Sequence, residues 1–277
     1  MLPSFLVIGA QKSGTSSLDQ YLRGHPQISM SRHKEPGFFT VEHNWARGLR
    51  WYERQFPGAK GIAAVGEASP SYSMHPLHTG VPARIASVIP DAKLIYLVRH
   101  PIERMRSHYQ HRVAAGTETL PIEAAFQSNP HYLNTSRYAF QITEYLQHFS
   151  VDCLLVVLSD DLKNRREHTL RAVYEFLGVN PEWRSPSVER EWYVTSEHRQ
   201  RRRVTAQLMR SGSMKTAAGK LPRFARDPLR KLTHRDPPTS DTRLSPVCEE
   251  GLRGALRGDV AALRTYVRGD FDGWGIA

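Results

Sequence analysis

The chain of 277 residues holds only two cysteines, Cys153 and Cys248. Neither belongs to a Cys-x-x-Cys pair or to a Cys/His cluster with metal spacing. A zinc finger is thereby excluded; the pair could form at most one disulfide, and the count fits a reducing compartment. Long apolar runs are also missing. The first, Phe5 to Ile8, is four residues, and none approaches the roughly 18 needed to cross a bilayer. The start lacks the charged segment and cleavage site of a secretory leader. A cytoplasmic location and no membrane span are the expectation. Thirteen histidines are present, but no His-x-x-x-His or His-Glu-x-x-His occurs among them.

Acidic residues are scarce in one place. Between His198 and Arg235 there are 12 Lys or Arg and one acid, Asp227, against 26 bases and 26 acids in the rest of the chain. The net charge of +11 is therefore one local segment on a neutral body. A nucleic-acid binder spreads its bases over a whole face, so no nucleic-acid partner is expected. Leu208, Met209, Leu221, Phe224, Leu229 and Leu232 interleave the bases, which keeps a membrane-surface or nucleic-acid module as a competing reading. The segment 198–240 reads as a mobile insertion, a lid over an anionic ligand.

What is present is strand–helix alternation. Phe5-Leu-Val-Ile8 is a buried strand, Gly9 to Gly14 a turn, and Leu18, Tyr21 and Leu22 mark a helix starting at Thr15 or Ser16. A loop-rich stretch follows His25-Pro26. Short strands are expected at Ile62–Gly66, Leu94–Val98 and Leu154–Leu158. Helices are expected at Pro82–Val88, from Pro101, over Arg137–Phe149, before Gly178, and over 245–269. Strands and helices in that order predict an α/β fold of three layers, P-loop-like, with a central parallel sheet flanked by helices. Residues 1–277 read as one domain.

Two segments carry chemistry. Gly9-Ala10-Gln11-Lys12-Ser13-Gly14-Thr15-Ser16-Ser17 leaves a strand and enters a helix. Amides at such a helix start form an anion site, and the hydroxyls add donors. A nucleoside triphosphatase places lysine directly after the second glycine; here Lys12 precedes Gly14 by two. A kinase also needs acidic magnesium ligands, yet the strand Leu94–Val98 runs into Arg99. A P-loop kinase or NTPase is thus the weaker enzyme reading. The second segment, Arg99 to Ser107, passes from a strand end into a helix. Its guanidinium and hydroxyl suit a phosphate monoester.

Together these residues resemble the PAPS-dependent sulfotransferase family, in its heparan-sulfate and bacterial branch. Lys12-Ser-Gly-Thr-Ser16 resembles the loop holding the 5′-phosphosulfate of PAPS. Arg99 and Ser107, in an R-x-P-x-x-R-x-x-S pattern, resemble the 3′-phosphate motif. Lys34-Glu-Pro-Gly-Phe38-Phe39 resembles the E-x-x-F-F segment with that branch's catalytic glutamate, and Gly66-Glu-Ala-Ser-Pro-Ser-Tyr72 its E-K-T-P-A-Y segment, with Ala68 in place of the lysine. The resemblance implies Glu35 and Lys12 as catalytic residues, with Lys12, Ser13, Gly14, Thr15, Ser16, Arg99 and Ser107 as donor-binding residues. It implies transfer from PAPS to a small-molecule or glycan acceptor, PAP as product, and no metal.

Overall fold

The computed structural model describes residues 1–184, 200–201, 234–235 and 241–277. Five parallel strands form the central sheet in the order β2-β3-β1-β4-β5. They are β1 (Phe5–Gly9), β2 (Ile28–Met30), β3 (Ala64–Ala68), β4 (Lys93–Val98) and β5 (Leu154–Leu158). Period-two alternation divides their side chains between two cores. Leu6, Ile8, Leu94, Tyr96, Val98, Leu154 and Val156 join one, and Phe5, Val7, Ile95, Leu97, Leu155 and Val157 the other. Both faces are buried, which is why these strands read as continuous apolar runs.

The helices complete the layers. On one face lie α1 (Thr15–Arg23), through Leu18, Tyr21 and Leu22, and α9 (Arg166–Leu177), through Leu170, Val173 and Leu177. The other face packs α2 (Leu49–Glu53), α3 (Val81–Val88) and α7 (Tyr138–Leu146). The helix α4 (Pro101–Ala114) joins α5 (Ile122–Ser128) and α6 (His131–Asn134) in a smaller core. The short α8 (Ser159–Asn164) follows β5 directly. The last helix, α10 (Pro246–Leu263), starts at Ser245, whose hydroxyl accepts from the Cys248 amide. It buries Leu256 and Val260 against Ile102 of α4 and Ile276 of the C-terminal tail.

Several expectations shift. The loop-rich stretch contains β2, whose three residues give too short a pattern to see, and α5 and α6 were not foreseen. The strand expected at Ile62–Gly66 lies two residues later, with Glu67 inside it. The last helix stops at Leu263, and the tail turns back so that Phe271 and Ile276 are buried. Cys153 sits half-buried in the turn before β5, and both cysteines are free. Of the basic insertion at 198–240, only a two-residue antiparallel ladder, Gln200–Arg201 with His234–Arg235, falls within the described residues. The lid expectation lies outside them.

Register explains one glycine. Gly66 pairs with Phe5 across β3 and β1, and a Cβ at Gly66 would collide with the Phe5 ring. The same pairings bring the carboxyl ends of β1, β3, β4 and β5 to one edge of the sheet, where open α/β sheets bind ligands.

Two histidines make the smaller core sensitive to acid. His108 of α4 and His131 of α6 lie with ring centroids 5.2 Å apart. Burial first, then the nearby Arg104 guanidinium, pushes His108 down to about 2 and His131 down to about 4. Both fold neutral, whereas the unfolded chain protonates them near 6.5. Their contribution is complete above that pH and is lost as pH falls toward 4 and below, because the unfolded state binds more protons. Each should cost at most about 1.4 kcal/mol per pH unit in that window. Urea unfolding between pH 7 and pH 4.5 should show the slope, and His131→Gln should reduce it; an unchanged slope would contradict this origin.

Candidate functional site

The loop between β1 and α1 leads into a helix start without a side-chain cap. Gly14 is the N-cap of α1, in the left-handed region (φ +96°). There is no acidic residue in its first turn. The amides of Gly14, Thr15 and Ser16 therefore head a helix whose positive dipole end is uncompensated. Ser13 and Thr15 are buried and Ser16 is half-buried.

Lys12, within this loop, is half-buried with φ +71°. Burial, then the Arg99 guanidinium, pushes its ammonium below the ordinary lysine range; Glu35 opposes the shift, and Lys34 adds to it. The charges acting on Lys12 are therefore Arg99, Glu35 and Lys34. They come from the end of β4 and from the turn after β2, so three distant segments converge at the sheet edge. Glu35 is itself in the left-handed region, φ +61°. Its carboxylate accepts from the Lys34 ammonium, and its side chain is 54% exposed. Among the described residues only Lys12, Glu35 and Trp274 are non-glycine residues with positive φ. Such conformations persist where surrounding structure enforces them, and they cluster at functional sites.

Arg99 follows the last residue of β4. Its main chain is clamped by Tyr138, whose hydroxyl donates to the Arg99 carbonyl at 2.8 Å and lies 3.4 Å from the Arg99 amide. Ser107 lies on α4, six residues or about 9 Å of helix beyond Pro101. It is 5% exposed, and its hydroxyl has no hydrogen-bond partner in the protein. No hydrogen bond joins the Ser107 hydroxyl to Arg99 among the described residues. A buried hydroxyl without a partner fits an absent polar ligand. In the same motif Arg106 pairs with Glu103 at 2.5 Å and with Glu249 at 2.9 Å. Arg104 is fully buried and structural, donating to Ser136 and to the Tyr132 carbonyl, each at 2.6 Å.

Ala68 is fully buried in the core beneath α1. The cation that accompanies Glu35 is Lys34, its chain neighbour. Phe38 and Phe39 are core residues: Phe38 stacks on Tyr52 at 4.3 Å between centroids. A cavity of roughly 260 Å³ opens beyond β5, lined by Asp160, Asp161, Asp270, Asp272 and Trp274 among others. Four carboxylates outnumber its one guanidinium, Arg165, whereas the edge at Lys12 and Arg99 is cationic. Among the described residues, no group of three or more His, Cys, Asp or Glu could hold a metal ion, and no helix is long and apolar enough to cross a membrane.

Sequence reasoning put Glu67 and Ser69 in a motif segment without giving either a role, and it missed the hold of Tyr138 on Arg99, for which a lone aromatic on a helix gives no signal.

Residues 2–217 match the sulfotransferase domain family. The bifunctional heparan sulfate N-deacetylase/N-sulfotransferase 1 of Caenorhabditis elegans is 28% identical over 194 residues, 64% of this chain and 22% of that protein. The heparan sulfate glucosamine 3-O-sulfotransferase 3B1 of Mus musculus is 32% identical over 187 residues, 64% of this chain and 46% of that protein. The chain thus spans less than half the length of these curated relatives. A crystal structure of a sulfotransferase from Alicyclobacillus acidocaldarius superposes with a TM-score of 0.71 at 26% identity, covering 99% of both chains. With a family match over more than three quarters of its length, the chain belongs to the sulfotransferase family.

Proposed function

We propose that the chain, as one domain over 1–277, moves the sulfuryl group of PAPS to a hydroxyl or amine of a glycan or small-molecule acceptor, releasing PAP. The observation that carries this reading is the convergence of Lys12, Arg99 and Glu35 at the end of the sheet, over an uncapped helix N-terminus. In-line sulfuryl transfer needs positioning and charge stabilisation more than covalent help.

Each residue has one task. Amides and hydroxyls from Ser13 to Ser16 hold the 5′-phosphate. Lys12 puts its ammonium on the bridging oxygen, where negative charge grows as the S–O bond to the donor breaks. The burial and like charge that weaken its protonation are offset when a dianion arrives. Arg99, with its backbone fixed by Tyr138, grips the 3′-phosphate, and Ser107 supplies a donor with no other partner. Glu35 takes the proton from the acceptor atom as its bond to sulfur forms, and Lys34 holds that carboxylate in place.

The reading is tested by transfer from radiolabelled PAPS, with EDTA present, to a panel of N-deacetylated heparosan oligosaccharide, 4-nitrophenol and a tyrosine peptide. Label should move to at least one acceptor with stoichiometric PAP. Transfer from none, or only with added magnesium and ATP, would contradict it.

A further inference from the structure

Glu67 is the most deeply buried carboxylate among the described residues, at 0% exposure near the end of β3. Among the described residues it has no cationic partner, and three hydroxyls serve it. Tyr52 donates to Oε1 at 2.6 Å, Tyr72 donates to the same oxygen at 2.7 Å, and Ser69 donates to Oε2 at 2.5 Å. Burial pushes the carboxyl group up and the three hydrogen bonds oppose that shift. All three hydroxyls donate to the carboxylate, so each has its proton committed inward.

The consequence lies on the outward side. With their protons fixed on Glu67, Ser69 Oγ and Tyr72 OH offer only lone pairs. Ser69 Oγ accepts from the Gly37 amide at 3.0 Å, and Tyr72 OH accepts from the Phe39 amide at 3.4 Å. Tyr52, the third donor, stacks on Phe38. These are the residues that follow Glu35 in the turn. That turn holds positive φ at both Glu35 and Gly37, +61° and +58°, a conformation that outside contacts must hold in place.

We propose that Glu67 is a positioning residue for catalysis: its carboxylate sets the hydrogen-bond direction of Ser69 and Tyr72, whose oxygens hold the turn that presents Glu35. The proposal rests on Glu35 being the base. It differs from a role in packing alone, because it requires a specific polarity of hydroxyl groups. In Glu67→Gln the amide nitrogen would donate to Ser69 Oγ and leave the serine proton with no acceptor.

The test compares Ser69→Ala, Ser69→Thr and Glu67→Gln with the wild type. Deuterium exchange of residues 35–39 is followed by mass spectrometry, PAP affinity by calorimetry, and turnover on whichever acceptor of the panel reacts fastest. Ser69→Ala, which removes one hydroxyl and leaves the buried carboxylate two donors, guards against Glu67→Gln failing to fold. In Ser69→Ala and Glu67→Gln exchange at 35–39 should rise at least about tenfold. In both, kcat should fall by about 10- to 100-fold, the cost expected of a misplaced group. PAP affinity and the KM for PAPS should stay within about threefold, and Ser69→Thr should restore both readouts. Unchanged exchange, full kcat in Ser69→Ala, or no restoration in Ser69→Thr would overturn the proposal. Glu35→Gln run alongside separates the two claims: full turnover there overturns the base assignment, while the exchange result still decides whether Glu67 holds the turn.

Discussion

Glu35→Gln is expected to lower kcat on the order of 10²- to 10³-fold while PAP affinity stays within about twofold, as for loss of a general base. The amide has nearly the shape of the carboxylate and keeps an oxygen for the Lys34 ammonium. What it loses is the ability to take a proton at the moment the acceptor atom attacks. The fold should be indifferent. The side chain is more than half exposed, and an ion pair in that setting contributes about 0–1 kcal/mol. Thermal unfolding of the variant should therefore overlay the wild type. A variant that keeps near-full turnover would remove Glu35 from the chemistry and return it to the surface.

Arg99→Ala is expected to weaken PAP binding by about 10²-fold or more, while ADP, which lacks the 3′-phosphate, binds as before. Charge-assisted hydrogen bonds are worth about 1.5–3 kcal/mol each, and a guanidinium can offer two in parallel to a phosphate. The position suits that use. Arg99 leaves the end of a central strand with its carbonyl and amide tied to Tyr138, so the side chain starts from a fixed point. The substitution has a second, opposing effect. Arg99 is the charge that most weakens protonation of Lys12, and its removal lets the Lys12 pKa rise. The 5′ end of the site should thus be preserved or slightly improved, which is why ADP serves as the internal reference. Equal losses for PAP and ADP would place Arg99 elsewhere than at the 3′-phosphate.

Much of this architecture was legible because buried strands announce themselves. Phe5–Ile8, Leu94–Val98 and Leu154–Leu158 are apolar on both faces, and the structure places them as adjacent strands β1, β4 and β5. The two loop motifs were visible for a related reason, since each leaves such a strand and enters a helix. Other elements carry no comparable signal. With three residues, Ile28–Met30, β2 is shorter than any usable period. The frame of β3 slipped because its fourth residue is Glu67, and a charged residue ordinarily ends a strand. Here three hydroxyls make its burial tolerable. Those partners lie up to 15 residues away, and the Ser69–Gly37 hydrogen bond spans 32, so no local pattern reveals them. The C-terminal helix was overextended because Tyr266 and Val267 continue its apolar stripe, whereas the chain turns after Leu263 to bury Phe271.

The lysine absent at Ala68 is one departure from the family pattern that the structure puts in context. That position is core, packed with Val7 and Leu18. A cation near the proposed base is still present, supplied by Lys34. The sequence marks the loss and sets Lys34 beside Glu35; the structure adds the ion pair between them.

The central claim is that the edge formed by Lys12, Ser13 to Ser16, Arg99 and Ser107 is a binding site for a nucleotide with phosphates at both 3′ and 5′. Calorimetric titration of the wild-type protein with PAP, in EDTA, tests it most directly, with ADP and magnesium–ATP titrated in parallel. The account predicts tight, metal-independent PAP binding and much weaker binding of ADP and ATP. No PAP binding, or a preference for magnesium–ATP, would contradict it.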